Sequence, residues 1–164
     1  MDSRIQTAIK KANEYIGIPY SPWIPSKSCF GDHGPFWSYN GPAPSFDKIT
    51  KELLNCVGLI NVIRRFFQLE IPGVKEESFY AGGTYEWFLY LQNKQKLQPF
   101  NPSTVYPKGT LLLRCFHSEE DEGHLAIVTG PSTVIHSIRP RGVTNDMLWE
   151  NYFEFACLPE HWLV

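Results

Sequence analysis

Apolar residues Ile5, Ala8, Ile9, Ala12 and Ile16 recur three and four positions apart among lysines and polar residues, a spacing that predicts a helix with one buried face. Asp2 or Ser3 can cap its start, and Gly17 ends it. Periodicity then disappears from Pro19 to Phe46, where Pro22, Pro25, Pro35, Pro42 and Pro44 alternate with Gly31, Gly34 and Gly41. Such a composition excludes a regular helix or central strand. Its aromatics, among them Tyr20, Trp23, Phe36, Trp37 and Phe46, are too numerous for a tether, so the segment is expected to pack down as a wall or lid.

Asp47 is expected to cap a short helix through KITKELL, and a second helix is predicted from Cys56 to about Gln68, stopped by Ile71-Pro72-Gly73. The second helix is apolar nearly all the way round, which marks it as buried, with Arg64 and Arg65 snorkelling to the surface. A third helix is predicted over 84–95, where Trp87, Phe88 and Leu91 share a face. The pattern then changes to short strands: TLLLRCF, GHLAIVTG, STVIHSI and YFEFACL. Helices followed by strands with short connections predict an α+β fold with an antiparallel sheet.

Composition narrows this picture. A chain of 164 residues, 43% hydrophobic, can bury one core, so residues 1–164 are read as a single domain with a Pro- and aromatic-rich insertion at about 21–46. A net charge of −2 gives no cationic field for nucleic acid, and no partner of that class is expected. The N-terminus has no continuous apolar core, so neither a signal peptide nor a membrane span is expected. The default is a cytoplasmic monomer, or a secreted or cell-wall protein if a leader has been removed. The four cysteines have no zinc-site or paired spacing, and neither a metal nor any other cofactor is expected. Cys29 and His33 in CFGDH, and the acidic HSEEDEGH run, are weak metal candidates; Cys115 and Cys157 are read as core thiols.

Candidate chemistry begins at Cys56. A helix N-terminus favours a thiolate through its unpaired N–H groups, and the same amides can serve an oxyanion, with Gly58 keeping the turn accessible. Two histidines, His124 and His136, sit roughly symmetrically about a GPS turn, so a hairpin would bring them together, one as base and one to orient it. A buried cysteine or a strand histidine alone is most often core; the ordered set changes the weighing.

These residues, NCVGLI, GHLAIV and VIHS, resemble in order and spacing the NlpC/p60 cell-wall cysteine peptidases, a papain-like group. The stretch IGIPYSPW resembles the Gly-x-Pro-Tyr-x-Trp with which many members leave their first helix, and YPKGTLLL resembles the Pro-Gly-Asp-Leu that opens their first strand. The resemblance runs from about Ala8 to Ser137. It implies a papain-like domain with N-terminal helices packed on an antiparallel sheet. It further implies that Cys56 is the nucleophile, His124 the general base, His136 its orienting partner, and Tyr20 a helper at the oxyanion. Asn55, Val57, Trp23 and Arg139 are the residues expected to meet substrate.

Two departures bear on that substrate. Members that bind the free amine of an N-terminal L-alanine use an Asp before and a Ser after the cysteine, and here these are Asn55 and Val57. The 21–46 insertion is longer than the usual connection. The implied function is hydrolysis of a peptide or isopeptide amide, with cell-wall stem peptides as the family default. The rival readings are an acyl-thioenzyme acting on another ester or amide, and a binding module without catalysis.

Overall fold

The computed structural model describes residues 3–22, 36–149 and 152–164. Helix α1 (Ser3–Glu14) buries Ala8 and Ala12, on the face that the periodicity predicts. Of the expected wall or lid, residues 23–35, including Trp23, Cys29 and His33, lie outside the described residues. Phe36–Ser38 form one 3-10 turn whose three side chains are buried and which packs on the helix that follows Asn55.

Helix α2 (Phe46–Glu52) is capped by Ser45, whose hydroxyl accepts the Lys48 N–H at 3.3 Å. Asp47, the expected cap, lies within the first turn, where its charge still complements the helix dipole. Leu53 then adopts φ 64°, a conformation costly for leucine by about 1–3 kcal/mol. Its N–H remains bonded to Ile49 O at 2.8 Å, so α2 ends abruptly and the chain reverses into the next helix.

Helix α3 (Cys56–Phe66) begins at Asn55, whose Oδ1 accepts the Gly58 N–H at 2.8 Å. It ends at Phe67 and at Gln68, φ 56°, before the Ile71–Gly73 segment expected to stop it. Every residue from Cys56 to Arg65 is buried, and Leu59, Ile60, Val62 and Ile63 are fully so, each contributing about 1.5–3 kcal/mol.

Arg64 and Arg65 do not reach the surface; they are 2% and 9% exposed. Arg64 donates to the carbonyls of Glu70 and Trp162 and to Tyr90 Oη, and Arg65 to the carbonyls of Phe36, Gly41 and Pro42. Five donors in a fixed fork let each guanidinium satisfy several buried carbonyls, which offsets its desolvation.

Helix α4 (Thr84–Asn93) buries Trp87 and Leu91. Six strands follow: β1 (Gln98–Pro99), β2 (Leu111–Arg114), β3 (His124–Gly130), β4 (Thr133–Ile138), β5 (Gly142–Met147) and β6 (Phe155–Cys157), with a terminal turn of helix, α5 (Pro159–Trp162). They pair antiparallel in the order β1-β6-β2-β3-β4-β5. The sheet is covered on both faces. Leu111, Leu113, Leu125, Ile127 and Ile135 share one core with α3, while Leu112, Ala126, Val128 and Val134 share another with Tyr106 and Phe153. Among the described residues no helix is long and apolar enough to cross a membrane.

Strand β5 was not predicted, because GVTNDM has one strongly apolar residue per turn of the pattern rather than an alternation. It is placed by backbone: Gly17 N–H donates to Val143 O and Val143 N–H to Ile18 O, both at 2.9 Å. Gly142, at φ 74°, lets the Ile18 carbonyl approach so closely that any Cβ would collide with it.

Candidate active site

Three backbone segments converge on Cys56. Tyr20 forms an isolated parallel bridge with Leu54, through Leu54 N–H to Pro19 O at 3.3 Å and Ser21 N–H to Leu54 O at 3.2 Å. Ser137, on β4, donates its hydroxyl to the same Leu54 carbonyl at 2.7 Å. The helix start is therefore tied both to the Pro-Tyr segment and to the strand that carries His136. The Cys56 thiol, 7% exposed, faces the N–H groups of Leu125, Val57 and Cys56 itself. Leu125 is the residue after His124, so the sulfur lies at the start of β3 beside that histidine's backbone.

His124 Nε2 and His136 Nδ1 are 2.8 Å apart, both rings being buried. The register pairs Ile127 with Ile135, so the two histidines are diagonal rather than directly opposed across the hairpin. Beyond His136, Asp146 Oδ2 on β5 lies 3.5 Å from Nε2, near enough for charge attraction but without hydrogen-bond geometry. Asp146 is itself held by Arg141. An aromatic roof closes the pair: Trp149 lies 6.1 Å from His124 and 5.0 Å from His136 between ring centroids, and Tyr152 meets His124 edge-on at 5.7 Å.

Electrostatics follow from this burial. Desolvation pushes the Cys56 thiol up to about 11, although the three N–H groups pull the other way. Burial, and then the neighbouring His136, push His124 down to about 3. The helix N-terminus was expected to depress the thiol; burial outweighs it, which favours a neutral thiol beside a neutral imidazole. Tyr20 is raised to about 12 by burial and then by the nearby Cys56, so its O–H stays a donor. Tyr152 is raised for the same two reasons.

A cleft of about 270 Å³ opens beside the histidine, lined by Tyr20, Glu122, His124, Arg139 and Tyr152 among others. Arg139 lies over the Tyr20 ring at 5.1 Å and 3.8 Å from Glu122.

No family model matches the chain, and no curated protein does. Among solved structures it is similar to the NlpC/p60 domain of the peptidoglycan hydrolase SagA, at 17% identity over 93% of this chain and 97% of that one, with a TM-score of 0.48. It is also similar to a Staphylococcus aureus protein described as similar to lipoprotein, NLP/P60 family, at 16% identity and a TM-score of 0.52. That match covers 97% of this chain and 42% of the other, so the chain spans less than half of that protein's length. The chain has the NlpC/p60 fold.

Within the NlpC/p60 fold, Cys56, His124, His136, Tyr20 and Arg139 gather at one end of the sheet; Tyr20, His124 and Arg139 line the cleft, whereas Cys56 and His136 are buried and are not part of its lining. Asn55 and Val57 do not line it: they are 3% and 2% exposed, Asn55 committed as the cap of α3 and Val57 to the core. An Asn in this place keeps the cap that an Asp would supply while removing its charge. Gly58 has a different reason from the one expected. A Cβ there would lie 2.8–2.9 Å from the Trp37 indole, so the glycine admits that ring against the first turn of α3.

Of the acidic run, His117 pairs with Glu154 at 2.7 Å and Asp121 with Arg114 at 2.5 Å, while Glu119, Glu120, Asp121 and Glu122 form one wall of the cleft. Among the described residues no group of three or more metal-ligating side chains occurs. Asp146, Trp149 and Tyr152 are not singled out by any motif in the sequence. An acid in an unrecognised strand carries no local signal of the histidine on the neighbouring strand β4.

Proposed function

We propose that this chain is a cysteine hydrolase that cleaves a peptide-like amide, with Cys56 as nucleophile, His124 as general base and acid, and His136 orienting His124. The observation that supports it is the hydrogen-bonded His124–His136 pair beside a thiol surrounded by three backbone N–H groups. Because His124 Nε2 is engaged with His136, Nδ1 is the nitrogen left to serve the thiol.

Since both groups rest neutral, the proton moves when substrate arrives: His124 takes it from Cys56 as sulfur attacks the carbonyl carbon. The tetrahedral oxyanion is received by the N–H at the start of α3, with Tyr20 O–H as a second donor. The imidazolium then protonates the leaving amine as the C–N bond breaks. Water, deprotonated by the same imidazole, hydrolyses the thioester and regenerates the thiol.

Cell-wall stem peptides are the first substrates to try, from the motif resemblance. With Asn55 and Val57 buried, a free N-terminal amine finds no carboxylate at those two positions, so recognition falls to the cleft, where Glu119, Glu120, Asp121 and Glu122 stand with Tyr20 and Arg139. The test is amine release from a panel of stem-peptide and other amide substrates. Cys56→Ala should abolish it, and His124→Gln should reduce it by on the order of 10²–10⁴-fold, with melting behaviour retained. Wild-type turnover in a folded form of either variant would end the proposal.

A further inference from the structure

His136 is fully buried, and its two nitrogens have different neighbours. Nδ1 is hydrogen-bonded to His124 Nε2 at 2.8 Å; among the described residues Nε2 has no hydrogen-bond partner, and the Asp146 carboxylate lies 3.5 Å away. A neutral imidazole carries one proton, and its location decides what the next ring can do. With the proton on Nδ1, His136 would donate to His124 Nε2. His124 would then have to hold its own proton on Nδ1, the nitrogen needed as base, and the His136 Nε2 lone pair would face a carboxylate. With the proton on Nε2, the N–H lies beside the Asp146 carboxylate and is attracted by its charge, Nδ1 accepts from His124 Nε2–H, and His124 Nδ1 is left with a lone pair. Only this second arrangement yields a base, and only it is attractive at both ends.

We propose that Asp146 is a positioning residue: its carboxylate selects the Nε2–H tautomer of His136 and, through it, the tautomer of His124 that can deprotonate Cys56. The inference rests on the catalytic reading above. Arg141 completes the device by binding the same carboxylate oxygen, which keeps Asp146 ionised and aimed at β4. The charged or titratable groups that face His136 are thus His124 from β3, Asp146 from β5 and Arg141 from the turn before it. Asp146 touches no reacting atom, and β5 is joined to the Pro-Tyr segment through Val143, so the strand that carries Asp146 also braces Tyr20's segment.

The experiment is long-range ¹H–¹⁵N correlation on the full chain with ¹⁵N-labelled histidine, at a pH where both rings are neutral. In the wild type both His136 and His124 should give Nε2–H tautomer shifts. In Asp146→Asn and Asp146→Ala, His136 should move substantially to Nδ1–H, and Asp146→Glu should restore Nε2–H. Turnover should fall with it, by roughly 10- to 100-fold in kcat with KM little changed. His136 as Nδ1–H in the wild type, or an unchanged tautomer in a folded Asn or Ala variant, overturns the proposal. The tautomer readout does not need turnover, so it separates the two ideas. A tautomer switch in a protein whose Cys56→Ala variant is fully active would reject the catalytic reading instead.

Discussion

The Ser137 hydroxyl donates to the Leu54 carbonyl at 2.7 Å, joining positions 83 residues apart. Ser137 follows His136 on β4, and Leu54 precedes the cap of α3, so this one bond ties the turn before Cys56 to the histidine strand. Ser137→Ala should cost about 1 kcal/mol in urea unfolding, since Leu54 O keeps the Ser21 N–H. It should also lower kcat more than stability alone explains, by loosening the distance between thiol and imidazole. Unchanged kcat would show that the two halves of the site are held by packing alone.

Gly58 is a second point where sequence and site meet. A Cβ on it would press on the Trp37 indole at 2.8–2.9 Å, and the ring is 1% exposed with no room to withdraw. Gly58→Ala, normally favourable in a helix, should here destabilise by about 1–3 kcal/mol in urea or thermal unfolding. A variant as stable as the wild type would mean that the 3-10 turn at Phe36–Ser38 moves freely off α3.

Much of the site was legible in the sequence because its chemistry is local. A cysteine at the head of an apolar run, a glycine two residues later and two histidines about a short turn all sit on elements whose period identifies them. The remainder depends on pairs of residues that no window joins. Ser45 rather than Asp47 caps α2 because the serine precedes the first helical residue and its hydroxyl reaches the Lys48 N–H, while Asp47 already lies in the first turn. The two arginines of α3 were expected at the surface because charge usually is, yet each meets carbonyls supplied by distant loops and by the C-terminal turn. Asp146 lies on a strand defined by backbone pairing to β4, with nothing in its own side-chain pattern to announce it.

Arg64 gives the direct check of that correction. Arg64→Met removes the donors to Glu70 O, Trp162 O and Tyr90 Oη and leaves the carbonyl of the buried Trp162 without that donor, while Tyr90 Oη keeps Lys94. The expected loss in urea unfolding is about 2–4 kcal/mol. A loss under about 0.5 kcal/mol is what a surface arginine would give, and would contradict the buried placement.

Stability should also depend on pH through the site. His124 is lowered to about 3 when folded and titrates near 6.5 when unfolded, so between these values the unfolded chain binds the extra proton. Its contribution is complete above about pH 6.5 and is lost as pH falls toward 3, at up to about 1.4 kcal/mol per pH unit. Cys56 has the opposite sign: raised to about 11, it contributes fully below about 9 and loses that contribution as pH rises through 11. Urea unfolding of wild type and His124→Gln between pH 4 and pH 7 should show a shallower acid limb in the variant; parallel limbs would contradict a buried neutral imidazole.

The most direct measurement is the rate of Cys56 alkylation by iodoacetamide against pH, located by mass spectrometry, in wild type and His124→Gln. A neutral thiol assisted by a neutral imidazole has the same proton count as the ion pair, so its alkylation rate is independent of pH between the two pKa values. The wild type should therefore show a plateau from about pH 5 to pH 9 and a rise only as the thiol ionises near 11. His124→Gln should lose the plateau and climb about tenfold per pH unit over that range, as free thiolate alone would. Superimposable profiles for the two proteins would mean that His124 does not serve Cys56.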